Sequence, residues 1–304
     1  MKSCSNCKNK AIYFRMNEGR YYCKKCFSKN IEDRVKRVIR NFNLVDNGDN
    51  IAVALSGGKD SSNTLYILKK IFEKNPKIRI FAIIVDEGFH FRKEAIKKSK
   101  KLCEEIGVEY YIFYFKKEVG KTMDSIGRKF KDKNMCSYCG VLRRYLINKK
   151  ARELKANKIA LGHNLDDEVQ SIIMNIFKGD FLRMARFDFM PKIRENTKFV
   201  PRIKPLAMIP EKESAIYAIT NNLPISLSHC PYAAHNHLRM EVKYFLNKLE
   251  FESPGIKYSI FNSGRKLAKI LKENMKIGEI NNCKICGEPS SESVCQACKI
   301  IEKL

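Results

Sequence analysis

Apolar residues along the chain follow two alternating rhythms. Compact runs at Ile51 to Leu55, Ile80 to Val85, Tyr110 to Phe115 and Lys158 to Leu161 read as buried strands. Between them the apolar positions fall at helical spacing. Val35, Val38, Ile39 and Phe42 share one face of Glu32 to Phe42. Ser62 to Phe72, Glu94 to Ile106 (closed by Gly107), Tyr138 to Leu154 and Leu165 to Phe177 follow. Strands separated by such helices predict an α/β fold, a doubly wound, mainly parallel sheet. Beyond residue 200 the strand signal weakens. Pro201, Pro205, Pro210 and Pro224 interrupt it, and helices are expected at about 236–249 and 264–274.

The two ends do not share this rhythm; cysteines organise them. Cys4-x-x-Cys7 and Cys23-x-x-Cys26 flank an aromatic stretch, and Cys283-x-x-Cys286 and Cys295-x-x-Cys298 flank a Gly-Pro-Ser turn. Each set suits one tetrahedral, structural zinc, since four thiolates leave no open position. The expected organisation is an N-terminal zinc ribbon (1–30), a catalytic domain with a helical C-terminal part (31–280) and a C-terminal ribbon (281–304). No apolar run approaches the roughly 18–20 residues of a membrane span, and the N-terminus does not resemble a signal peptide. A soluble, cytoplasmic protein is therefore expected. In that reducing compartment, paired cysteines point to metal or redox chemistry rather than disulfides. Lys and Arg number 59 against 33 Asp and Glu, a formal charge of +26. Thiolates around two zincs and one cluster would reduce this to roughly +21, which still attracts a polyanion.

Ser56-Gly57-Gly58-Lys59-Asp60-Ser61 ends a buried strand and opens a helix. Two glycines let backbone approach an anion, and the helix N-terminus offers unpaired N–H groups to it. It is not a Walker A loop, because Val53 stands where that motif requires glycine. The hexapeptide resembles the PP-loop of the ATP pyrophosphatases, whose signature is SGGxDS. The resemblance implies cleavage of ATP between its α and β phosphates, adenylation of a substrate carbonyl oxygen and release of pyrophosphate. It further implies that Ser56, Gly57, Gly58, Lys59 and Ser61 hold the pyrophosphate and that Asp60 helps hold Mg2+. Adenine would stack against Ala54 and Leu55 and against backbone near Ile84.

Three further cysteines, Cys136-x-x-Cys139 and Cys230, are one thiolate short of a closed tetrahedral site. They suit a 4Fe-4S cluster with one open iron. They also suit a third zinc completed by His229 or His163, or a persulfide-carrying redox pair. Taken with the PP-loop and both ribbons, they make the chain similar to the tRNA 2-thiouridine synthetases from Cys4 to Cys298. That resemblance favours the cluster and implies a reaction in which ATP adenylates the C2 oxygen of a tRNA uridine. Sulfur then attacks C2 and AMP leaves. It places an essential carboxylate at Asp167, which local evidence alone would also explain as a helix cap, an ATP contact at Gly162 and a phosphate-facing cation at Arg143. The catalytic set it implies is Asp60, Asp167, Cys136, Cys139 and Cys230. Its partners are tRNA, a sulfur donor (a ubiquitin-like thiocarboxylate carrier or sulfide) and a second copy in a homodimer. His229 to Ala234 and Glu252 to Tyr258 look more like the branch acting at T-loop position 54 than the wobble-position 34 branch. Two rival readings are a non-catalytic zinc-rich nucleic-acid-binding protein, which needs no PP-loop, and an amide-forming ligase, which needs no internal cysteines.

Overall fold

The computed structural model describes residues 2–130, 135–189, 198–228, 230, 232, 237–275 and 280–304. A small hairpin, β1 (Tyr13–Arg15) and β2 (Arg20–Tyr22), leads into α1 (Lys24–Asn41). The chain then alternates through β3 (Asn50–Ala54), α2 (Lys59–Phe72), β4 (Arg79–Asp86), α3 (Lys93–Glu105) and β5 (Tyr110–Tyr114). Next come α4 (Phe115–Glu118), α5 (Met123–Phe130), α6 (Met135–Glu153), β6 (Lys158–Ala160), α7 (Leu165–Phe177) and α8 (Phe181–Ala185). A two-residue strand β7 (Arg202–Ile203) precedes the helices α9 (Glu211–Thr220), α10 (His237–Glu252) and α11 (Ile256–Asn274). Strands β8 (Asn281–Asn282) and β9 (Pro289–Ser290) and helix α12 (Gln296–Lys303) close the chain. No helix among the described residues is long and apolar enough to cross a membrane.

Five strands form one parallel sheet in the order β5-β4-β3-β6-β7, as the α/β reading expects. The order runs outward from β3 in both directions. The carboxyl ends of β3 and β6 therefore flank the crevice where open sheets of this kind take ligands. Alternate residues of each strand face opposite sides. Ile51, Val53, Ala82 and Ile84 enter one core with Phe27 and Val35 of α1 and Leu65 of α2. Ala52, Phe81, Ile83 and Val85 enter the other, with Leu142 and Leu146 of α6.

Several elements differ from the sequence expectation for identifiable reasons. Helix α1 starts at Lys24 rather than Glu32, because the Cys23 thiol caps it by accepting the Cys26 N–H. It therefore runs without a break past residue 30. Helix α11 starts at Ile256, because the Glu250 carboxylate accepts the N–H groups of Gly255 (2.8 Å) and Lys257 (3.0 Å) from the preceding helix. Strand β7 and helix α9 carry too few periodic positions to be read locally.

Both cysteine-rich ends pack into the main cores. Tyr22 and Phe27 join the α1 core, while Cys283, Cys298 and Ile300 join that of α6. Arg15, 2% exposed, donates to both carboxylate oxygens of buried Glu213 on α9, at 2.6 and 3.0 Å. At the other end Glu288 accepts from Asn148 (3.0 Å) and pairs with Arg152, both on α6.

Candidate active site

The turn from β3 to α2 is braced by its own hydroxyls. Ser56 N–H donates to Ser61 Oγ (3.1 Å), and Ser61 Oγ donates to the Gly58 carbonyl (3.1 Å). Gly57 has φ +79°, and an added Cβ would lie 2.3 Å from the Ala95 carbonyl oxygen, so both conformation and space demand glycine there. Its own carbonyl accepts the Ser226 N–H at 2.8 Å, which straps the 226–228 segment across the loop. Asp60 accepts from Lys59 Nζ (2.8 Å) and from Ser214 Oγ (2.6 Å). Burial works against the charge of Lys59, but Asp60 and then Glu211 outweigh it and hold the ammonium above its usual range.

Ser214 follows Glu213 directly, so the N-terminal ribbon is tied through α9 to Asp60. The C-terminal ribbon braces α6, the helix that carries Cys136 and Cys139. Each ribbon thus supports one half of the site.

A cavity of about 490 Å³ opens over this turn at the carboxyl ends of β3, β4 and β6. Ala54, Leu55, Ser56, Gly58, Lys59, Asp60, Ser61, Arg143 and Gly162 line it. Gly57 does not, being committed to the packing against Ala95. Ile83 and Val85 line it, while the Ile84 side chain is buried on the opposite face of the sheet. Gly162 is where the loop after β6 meets the start of α2. A Cβ there would fall 2.6 Å from Ser61 N and 2.8 Å from the Asp60 carbonyl carbon. Gly162→Ala is expected to push the two loops apart and cut kcat/KM for ATP by about 100-fold, the scale of a ~1 Å misplacement, with the fold intact by circular dichroism.

Sequence reasoning missed Glu87. It is buried at the end of β4, lines the cavity, and pairs with Arg92 Nε (3.2 Å) and Arg143 Nη1 (3.3 Å). Arg92 also donates to the Ser56 carbonyl at 2.8 Å. One carboxylate therefore connects the phosphate loop to the cysteine-bearing helix. The only local signal was an acidic residue just past a buried strand.

Asp167 occupies the third position of α7 in a capping box with Asn164 and faces Arg239 at 3.5 Å. It does not line the cavity, yet Asp60 is near enough to add to the effect of burial, and together they push its carboxyl upward. Its neighbour Asp166 serves the fold instead. Asp166 accepts the Glu211 N–H at 2.7 Å and is paired with buried Lys257.

The cysteines fall into two geometries. In the ribbons, Cys7–Cys23 and Cys7–Cys26 sulfurs lie 3.4 Å apart, Cys286–Cys295 3.7 Å and Cys283–Cys298 3.9 Å. A zinc with ~2.3 Å bonds to tetrahedral thiolates separates them by about 3.8 Å, so both sets fit that ion. Backbone N–H donors pull the Cys4 and Cys283 thiols down to about 6 despite their burial, which suits them to ligation. Cys136, Cys139 and Cys230 are not gathered this tightly, although Cys136 and Cys139 both sense Cys230 electrostatically. The wider set leaves room for a polynuclear group such as an iron–sulfur cluster. Burial pushes Cys139 up to about 11 and also raises Cys136, so neither is a ready thiolate unless a metal takes the proton's place. His229, Pro231, Ala233 and Ala234 lie outside the described residues. Cys103 is a fully buried core thiol raised to about 12 by burial.

The family model described as PP-loop domain matches residues 27–224. The chain belongs to the PP-loop family, in its tRNA 2-thiolation branch. It is 40% identical to a probable sulfurtransferase of Methanocaldococcus jannaschii, over 99% of this chain and 87% of that one. A tRNA-5-methyluridine(54) 2-sulfurtransferase of Pyrococcus horikoshii is 33% identical over 97% of this chain and 92% of its own length. Among solved structures, the U34-tRNA thiolase NcsA of Methanococcus maripaludis with its [4Fe-4S] cluster superposes with a TM-score of 0.85. It shares 36% identity, over 99% of this chain and 96% of that one. The PP-loop of this family member is thus the 56–61 turn.

Proposed function

We propose that this protein is an ATP-dependent tRNA uridine 2-sulfurtransferase. The observation that carries the reading is the meeting at one cavity of a PP-loop with the helix presenting Cys136 and Cys139. ATP would lie with its phosphates on the loop amides, Ser56, Lys59 and Ser61, its Mg2+ at Asp60 and its base against Ala54 and Leu55. The uridine C2 oxygen attacks the α phosphate and pyrophosphate leaves. Sulfide then adds at C2 and AMP departs with the original oxygen. Asp60 and Arg143 balance the charge of the phosphates, and Asp167 adds a second carboxylate beside Asp60. A 4Fe-4S cluster on Cys136, Cys139 and Cys230 would supply, when bound, an iron with a free position for sulfide. The ribbons would hold two structural zincs. The donor is a thiocarboxylate carrier or sulfide itself, and the setting is the cytoplasm. A homodimer belongs to the same reading, with exposed Tyr244, Phe245 and Phe251 of α10 as the face it would cover.

Of the two segments that favoured position 54, 229–234 lies largely outside the described residues, and 252–258 is engaged within the fold. Lys257 pairs with Asp166 and donates to Asn247 (2.7 Å), and the Tyr258 hydroxyl accepts from Arg34. Neither side chain is free to read RNA. Overall likeness then weighs the U34 thiolase, 36% identical, against the position-54 enzyme, 33% identical. The test is an anaerobic reaction of cluster-reconstituted protein with ATP, sulfide and unmodified tRNA, followed by nuclease mapping and mass spectrometry. Sulfur in the anticodon or the T-loop fragment establishes thiolation and its position together. No thiolated uridine in any fragment, with the cluster intact and a carrier supplied, overturns the function.

A further inference from the structure

Charge in the cavity is unbalanced in a particular place. Five cationic side chains line it (Lys59, Arg92, Arg143, Arg144 and Arg202) against two carboxylates, Asp60 and Glu87. The carboxylates are taken: Asp60 by Lys59, and Glu87 by Arg92 and Arg143. Arg144 and Arg202 have no carboxylate partner among the described residues. They come from α6 and β7, elements that contribute nothing to the phosphate loop itself. Arg144 folds back over its own helix, its Nη1 3.2 Å from where a Cβ on Gly140 would sit, one residue past Cys139. Arg144 is exposed and Arg202 is half-buried. Loss of water at the guanidinium itself presses both below the usual arginine range, although Arg144 as a whole residue is exposed, and like charge adds to it: Arg143 and Arg183 act on Arg144, and Arg144 acts on Arg202. Two guanidiniums that repel each other at the edge of a cavity are stabilised by an anion between them.

We propose that Arg144 and Arg202 form a subsite gripping an RNA backbone phosphate beside the uridine that enters the cavity. The inference rests on the thiolation reading and extends it. The phosphate chain of ATP already has loop amides, two serine hydroxyls and Lys59 as partners, so it does not require this pair. A uridine brought to the α phosphate must carry its own flanking phosphates to the rim, beside the cysteine helix, where no other unpaired cation lines the cavity among the described residues.

The test measures binding of unmodified tRNA by fluorescence anisotropy across a salt series, and binding of α,β-methylene ATP separately, for the full chain and for Arg144→Ala, Arg202→Ala and the corresponding Lys variants. Each Ala variant is expected to weaken tRNA binding about tenfold and to reduce the slope of log K against log salt by about 0.7–0.9, with nucleotide affinity unchanged. The Lys variants should recover the slope while Tm stays constant across the set. Weaker nucleotide binding with an unaltered tRNA slope would assign the pair to ATP and overturn the proposal; so would no change in either. Because binding is read without turnover, wild-type protein that thiolates tRNA while the Ala variants keep the full slope refutes the subsite alone. Wild-type protein that binds tRNA without thiolating it refutes the functional reading instead.

Discussion

Cys139→Ser is expected to abolish uridine thiolation while leaving α,β-methylene ATP binding and the metal content of the two ribbons unchanged. Cys139 is half-buried on the first turns of α6, and burial holds its thiol up near 11, with Arg143 opposing. A free thiol in that state is a poor nucleophile at neutral pH, and the proposed function gives it the role of a ligand. Serine fills the space but does not replace the thiolate, and the iron content and visible absorbance of the reconstituted protein should fall with activity. The ribbons carry their own complete ligand sets and should keep their zinc. Full thiolation by an iron-free Cys139→Ser protein would remove the cluster from the mechanism. Unimpaired ATP turnover without any thiolation would favour an amide-forming ligase of the same fold.

Glu213→Ala should be among the most destabilising single substitutions in the chain. The carboxylate holds Arg15 with two bonds and Arg34 with one at 2.6 Å, and accepts the Tyr13 hydroxyl at 3.3 Å. Arg15 and Glu213 side chains are each 2% exposed, so removing the acid leaves buried Arg15 with only the more exposed Glu18 (3.0 Å) as a counter-charge. Breaking a buried pair on one side costs about 3–5 kcal/mol, to be read as a fall in unfolding free energy by urea denaturation. Glu213 also joins the hairpin of the N-terminal ribbon to α9, so zinc release to a chelator should accelerate in the same variant. A loss below about 1 kcal/mol would place this pair with ordinary surface salt bridges.

Much of the molecule follows from its local patterns. The strand–loop–helix setting of 56–61 sufficed to identify a phosphate loop, because an anion-binding helix N-terminus is built from consecutive residues. Cysteine pairs at fixed short spacing sufficed for the ribbons, since one knuckle supplies two ligands from a single turn. Alternating apolar runs gave the sheet and its helices. The register of β4 was also implicit, because strand parity puts Ile83 and Val85 on the face opposite Ile84.

Tertiary structure decided everything that depends on which distant segment becomes a neighbour. Glu87, Arg144, Arg202 and Ser226 come from four separate stretches, after β4, in α6, in β7 and after α9, and line one cavity only once the sheet and its helices assemble. Asp166 and Asp167 are adjacent carboxylates with the same local signature. One is neutralised by Lys257, 91 residues on, and the other faces Arg239 and the field of Asp60. The structure also attached the ribbons, since Arg15–Glu213 and Glu288–Arg152 link residues far apart in the chain. Propensity and periodicity act over a few residues, whereas the free energy of a buried charge is set by whichever partner the fold brings to it. The chemistry of the loop is therefore written in the sequence, and the balance of charge around it is written in the fold.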